Sequence, residues 1–390
     1  MRTYICLIGG LSAMGIANAQ SGAPTEVELE AETVIVVSPV QDGDGLAETE
    51  MLLGEISLRG TAERVLDNGV RLRARTALRL QQDHSARPGA SGGFNSQSGA
   101  PTGGFSGLSA GSPIDQDNIR VRFESAYFQI DGGYGELRLG RDKGVAGRFH
   151  EGLKSTLTHA RLDSTLLDPA GVSTVRTRND LTGSSAKISY ASPRIVGLRA
   201  GLSYTPEANA DGLDRRPAAG TGGTRPDTRN AFEVALNGTH RFRESGLRID
   251  AALAWSTADI RAPSGLAPYD RVETLSTGTR IEKGDWTIGA SWLSSDNGLP
   301  DAEYSAWSFG IARPALDTDW SLSYGESSDD GANTSSTNWR LGAARPIGEN
   351  LRVALAYRHD DLDNSLYSST SQGVVVEITL SSEILKLTGN

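Results

Sequence analysis

The chain has 390 residues, a hydrophobic fraction of 37% and a formal net charge of −10. That apolar content falls below the roughly 45–50% of soluble domains, which excludes one or two dense cores, and the charge is too small for a disordered chain. The acidic balance excludes nucleic acid as a partner.

Residues 1–19 read as a secretory signal. Arg2 supplies the positive start, 4–16 is apolar, and Ala17-Asn18-Ala19 has the small-x-small form of a cleavage site. The remaining chain, 20–390, then forms a single exported unit. Cys6, the only cysteine, lies within the signal, so the exported chain has no disulfide and no thiolate chemistry. No later stretch reaches the 18 or so consecutive apolar residues that a membrane-spanning helix needs.

From about residue 25 one pattern repeats: runs of roughly ten residues in which apolar and polar side chains alternate, separated by turn residues. In 70–80, Val70, Leu72, Ala74, Leu78 and Leu80 share one face, and Arg71, Arg73, Arg75 and Arg79 the other. Residues 247–256 repeat the scheme, with Leu247, Ile249, Ala251, Leu253 and Trp255 against Arg248, Asp250, Ala252, Ala254 and Ser256. So do 286–292 and 351–358. The apolar face often ends in an aromatic such as Tyr204, Trp292 or Tyr357, side chains favoured at a lipid–water boundary. The opposite face is rich in Gly, Ala, Ser and Thr, which predicts an open, aqueous interior.

Tight turns fall near 67–69, 131–133, 193–197, 243–246, 283–285, 315–317 and 348–350. Long polar segments fall near 38–51, 81–117, 142–182, 206–229, 259–269, 295–302, 326–335 and 360–371. Seven turns and eight loops connect sixteen strands up and down. The fold class is therefore all-β: a transmembrane antiparallel barrel of about 16 strands, the last running over about 373–380.

Two stretches carry a family resemblance. Gly132-Gly133-Tyr134-Gly135-Glu136-Leu137-Arg138-Leu139-Gly140-Arg141 is similar to the segment that enters the constriction loop of general bacterial porins. Arg178-Asn179-Asp180 and 187–193 resemble the segment that leaves it, and 198–206 resembles the strand that follows. The resemblance implies a homotrimer in outer-membrane lipid that passes small hydrophilic solutes passively. It also implies a third long loop, about 142–182, folded into the lumen. One departure is the C-terminus, which lacks the family's terminal aromatic.

In such a channel the charges at the narrowest section set what passes. The wall candidates are Arg59, Arg71, Arg73, Arg75, Arg79, Arg120, Arg122, Arg138 and Arg141. The resemblance implies that they face acidic groups on the loop, for which Glu151, Asp163 and Asp168 are the candidates. Two alternatives stay open: a substrate-selective, anion-preferring barrel, and an exported all-β adhesin or binding module.

No enzyme chemistry is expected. Gly107-Leu108-Ser109-Ala110-Gly111 has the letters of a nucleophile elbow but no strand-to-helix setting. The five histidines show no zinc spacing. No cofactor is expected. Asp42, Asp44, Asp329 and Asp330 are candidate loop calcium ligands, but Leu46 stands where a third oxygen ligand would follow.

Overall fold

A computed structural model describes residues 25–44, 52–84, 94–96, 101–108, 111–113, 119–208, 227–261, 268–364 and 367–389. The signal expected over 1–19 lies outside the described residues. The strands are β1 (Thr25–Asp44), β2 (Leu52–Val65), β3 (Arg71–Gln82), β4 (Phe94–Ser96), β5 (Gly111–Pro113), β6 (Ile119–Gly132), β7 (Gly135–Asp142), β8 (Ser185–Ala191) and β9 (Leu198–Glu207). They continue with β10 (Asp227–Arg241), β11 (Arg248–Arg261), β12 (Arg271–Lys283), β13 (Trp286–Ser295), β14 (Tyr304–Ala315), β15 (Thr318–Asp329), β16 (Thr334–Ile347), β17 (Leu351–Asn364) and β18 (Tyr367–Gly389). A single helical turn, α1 (Val145–Arg148), follows β7.

Sixteen strands close into one antiparallel barrel, each paired with its neighbours in sequence, and β18 pairs with β1 to seal the ring. The remaining two, β4 and β5, form a small hairpin inside the second long loop. No described helix is long and apolar enough to cross a membrane. Closure leaves every wall strand paired on both sides, the condition for strands to span lipid.

The two-residue period sets the faces. On β11, Leu253 and Trp255 are 47% and 37% exposed on the outside, while Ala254 and Ser256 are 4% and 0% exposed within. Aromatic rings pair across strands on the outer face: Tyr204 with Phe232 at 4.8 Å, Trp307 with Tyr324 at 5.3 Å, Trp339 with Tyr357 at 5.1 Å.

Three expectations are corrected. The polar segments 326–335 and 360–371 are mostly strand, because β15, β16, β17 and β18 reach Asp329, Thr334, Asn364 and Tyr367. Most of the inward, buried positions here are polar, among them Ser327, Asp329, Asp360 and Ser371, so little apolar alternation marks these strands and they read as loop. The last strand runs far beyond 373–380. Its Ser381–Gly389 end pairs with β1 from Glu32 down to Thr25, and Leu385 and Leu387 pair with Leu29 and Val27. The third correction concerns the small inward residues, which are covered rather than open to water, as the path of the third loop shows.

Candidate functional site: the lumen and its third loop

Strand β7 delivers the chain into the barrel. Gly135 and Gly140 have φ of 112° and 126°, and a Cβ at Gly140 would lie 2.5 Å from the Ala126 carbonyl, so both positions require glycine. Val145, Ala146 and Phe149 then pack on Ala191, Ala235 and Ala254 of β8, β10 and β11.

From there the loop follows the wall along a track of inward glycines. A Cβ on Gly201 would meet Val145 and Phe149, on Gly278 the Glu151 carbonyl, and on Gly289 the Gly152 carbonyl. On Gly310 it would meet Leu153, on Gly325 Leu162, and on Gly342 the Thr156 hydroxyl. These glycines sit on β9, β12, β13, β14, β15 and β16. The small inward residues therefore seat the loop backbone.

Two buried glutamates hold the loop. Glu233 on β10 accepts hydrogen bonds from the Ala146 N–H at 3.1 Å and the Thr182 hydroxyl at 2.5 Å, tying the loop's start to its end. Glu377 on β18 accepts from the Thr158 N–H at 2.8 Å, the Thr158 hydroxyl at 2.6 Å, the His159 N–H at 2.9 Å and the Ala160 N–H at 3.0 Å. Leu157, Ala160 and Leu167 pack beside it against Val34, Val36, Leu53, Ala354 and Val375. The tip also reaches β2 and β3. His159 Nε2 lies 3.4 Å from Glu55, Glu55 pairs with Arg79 at 2.5 Å, and Gln81 donates to the Leu166 carbonyl at 2.9 Å. Burial disfavours protonation of His159, but the Glu55 carboxylate outweighs it and raises the imidazole above its usual value.

The predicted charges separate into three groups. Arg59, Arg71, Arg73, Arg75 and Arg79 lie on the inward register of β2 and β3, and Arg138 on that of β7. Their counter-charges sit on the same wall. Arg59 pairs with Glu30 at 3.2 Å, Arg71 and Arg73 with Glu63 at 3.1 and 2.5 Å, and Arg138 with Glu136 and Asp142 at 2.8 and 2.6 Å. Arg75 has no carboxylate partner among the described residues and lines the same recess as Glu26, Glu28, Glu63 and Arg73. Arg122 lies opposite Arg79 in the ladder, and Arg120 opposite Gln81, its side chain being outside the described residues.

Arg141 is not in the row. It shares the outward register of Leu137 and Leu139, because three residues separate it from Arg138 and the period is two. Its Nε donates to the Phe123 carbonyl at 2.8 Å, beside the β6 bulge at Glu124.

The loop acids do not oppose the arginines either. Asp163 is 2% exposed and accepts from the Thr177 N–H at 2.9 Å, the Thr177 hydroxyl at 2.6 Å and Ser308 at 3.3 Å. Asp168 is 0% exposed and accepts from the Ala170 and Ser173 N–H groups at 3.2 and 2.7 Å. Glu151 pairs with Arg280 of β12 at 2.8 Å, across the barrel from the arginine row. Each of these carboxylates folds the loop or docks it. A loop backbone threaded through a barrel brings many N–H groups away from water, and its short acids are consumed in satisfying them.

Sequence reading missed Glu233 and Glu377. A signal existed for the latter, a lone acid on the inward register of the apolar run 374–380. Asp329, a candidate calcium ligand, instead accepts the Ala332 N–H at 2.8 Å and the Asn297 amide at 3.0 Å.

A family model described as Gram-negative porin matches residues 9–365. The chain belongs to this family. A search of curated sequences gave no match. Among solved structures, the in-vitro folded OmpT of Vibrio cholerae in its trimer form superposes with a TM-score of 0.58 at 10% identity, covering 92% of this chain and 99% of that one. OmpF of Salmonella typhi in complex with daunomycin gives 0.56 at 14% identity, covering 91% and 97%. An anion-selective porin from Comamonas acidovorans gives 0.54 at 13% identity, covering 92% and 98%. The porin is an outer-membrane channel, and its greasy exterior and polar, loop-narrowed interior are that channel's two faces.

Proposed function

We propose that the porin passes small hydrophilic solutes and ions passively, and that their route runs beside the arginine-bearing strands. The supporting observation is an open recess on the wall of β1–β3, lined by Glu26, Glu28, Glu30, Arg59, Glu63, Arg73 and Arg75. Within it Arg59 and Arg73 keep 38% and 28% of their side-chain surface, whereas Arg79, where the loop tip meets the wall, keeps 4%. The loop itself turns Lys154 and Thr158 outward. Solutes thus meet closely spaced charges of both signs on the wall. A polar solute exchanges hydration for these groups, and an apolar one loses hydration without compensation.

In this reading residues 1–19 are removed on export, the mature protein is a homotrimer, and its action on solutes is conduction without covalent change. The trimer form of the Vibrio cholerae relative supports the assembly. Reconstitution of the mature chain in a planar bilayer tests the function: stepwise, ohmic currents in multiples of three are the expected result. A folded, inserted sample that carries no current would overturn it. Current that saturates with one anion would favour the substrate-selective alternative.

A further inference from the structure

The second long loop leaves β3 and returns to β6, yet its described segment 101–108 lies against the far wall. Phe105 is 1% exposed, with its ring 5.6 Å from that of Tyr304 on β14 and the Arg176 guanidinium 4.9 Å from its centroid. Phe105 and Leu108 belong to one apolar cluster with Ala170, Val172 and Leu181 of the third loop and with Ala258, Val272 and Leu293 of the wall. The segment therefore rests on the third loop as well as on β11–β14.

Polar contacts hold it there. Asn297, between β13 and β14, is fully buried. Its side-chain oxygen accepts from the Phe105 and Ser106 N–H groups at 3.3 and 2.9 Å, and its backbone carbonyl accepts the Gly104 N–H at 2.8 Å. Its amide nitrogen donates to the Ala302 carbonyl at 2.9 Å and to Asp329 at 3.0 Å, which fixes the side chain's orientation. The Tyr269 hydroxyl accepts from the Thr102 N–H at 2.9 Å and donates to the Thr102 carbonyl at 2.8 Å. Gly103 and Gly104 allow the approach, since a Cβ on either would lie 2.8 Å from an Asn297 atom.

We propose that segment 101–108 is a second size filter, clamped onto the β11–β14 wall and the third loop by Asn297 and Tyr269. This rests on the channel reading and goes beyond it by separating two selectivities. The segment, Pro-Thr-Gly-Gly-Phe-Ser-Gly-Leu, carries no ionisable side chain. It acts through the volume it occupies, so it limits the size of solutes. Sorting by charge stays with the arginine wall, on the other side of the lumen.

A cysteine pair tests this in the full-length mature trimer, where no native thiol competes. Gly103→Cys with Asn297→Cys places two sulfurs within disulfide reach, given the 2.8 Å from a Gly103 Cβ to Asn297 Cγ. Oxidation is expected to give an intrachain bond and wild-type liposome-swelling rates for a graded series of neutral sugars. Reduction, with the asparagine clamp gone, is expected to admit the larger sugars several-fold faster while the reversal potential in a salt gradient stays unchanged. Asn297→Ala with Tyr269→Phe, free of engineered thiols, should behave like the reduced pair. Interchain bonds, or none, would place the segment elsewhere and overturn the proposal. So would equal sugar rates in both redox states, or a reversal potential that moves with the sugar rates. Wild-type conductance in the same preparation distinguishes failure of the channel reading from failure of this one.

Discussion

Glu377, on the strand that closes the barrel, accepts a 2.9 Å hydrogen bond from the backbone N–H of His159 at the tip of the third loop. One carboxylate on β18 thereby fixes the loop eleven strands along the ring from β7, where the loop begins. Replacement by Gln removes the charge and half of the acceptor capacity while keeping the shape. Hydrogen bonds to charged groups contribute about 1.5–3 kcal/mol each, and two are lost, so loop docking should weaken by about 3–6 kcal/mol. Single-channel recordings should show rapid current fluctuations in Glu377→Gln that the wild type lacks, with the barrel's heat resistance in detergent nearly unchanged.

Arg75 should set charge preference more than its neighbours, because it has no carboxylate partner among the described residues. Arg75→Glu should move the reversal potential in a salt gradient toward cations. Arg71→Glu should move it less and also lower thermal stability, since it places a like charge within reach of Glu63, now 3.1 Å from the Arg71 guanidinium. Equal shifts for the two would show that in-wall pairing does not govern the route.

The His159 contact predicts a pH dependence with a definite sign. The imidazole's value is raised from 6.5 by Glu55, against burial, in an environment that also holds Arg79 and Glu377. A raised folded value means that the stabilisation is fully present below 6.5 and is lost as pH climbs through the folded value. Fluctuations of the loop tip should therefore increase on the alkaline side, and His159→Gln should remove that dependence.

The glycine track makes a steric prediction. Gly278→Val should force the third loop off the wall and change conductance or block assembly, because its Cβ would occupy the Glu151 carbonyl. Thr277→Val, one residue away on the lipid face, should be tolerated. Leu253→Arg on that face should destabilise the barrel by about 2–4 kcal/mol if it lies near the midplane, read as a lower unfolding midpoint in lipid vesicles.

The alternation of Leu72 with Arg73, or Leu253 with Ala254, made the barrel legible in the sequence. A strand that faces lipid on one side and a polar or small-residue lumen on the other shows its two-residue period in the sequence directly. Segment 360–364 was illegible because polar residues stand on both faces, Asp360 being buried beside Arg358 and Arg340 although it is charged.

The sequence by itself therefore determined the sheet, its closure into a sixteen-stranded ring and the outward register of its apolar side chains. Those follow from a local period of two residues. Only the tertiary structure decided which charges meet. Glu63 with Arg73, Glu55 with Arg79 and Glu377 with the loop tip are pairs between strands or between wall and loop, and Asp163 and Asp168 turned inward to satisfy their own loop's N–H groups. The partner of a charge depends on register and on where a long loop lies, and neither quantity is carried by the residue's immediate neighbours in the chain.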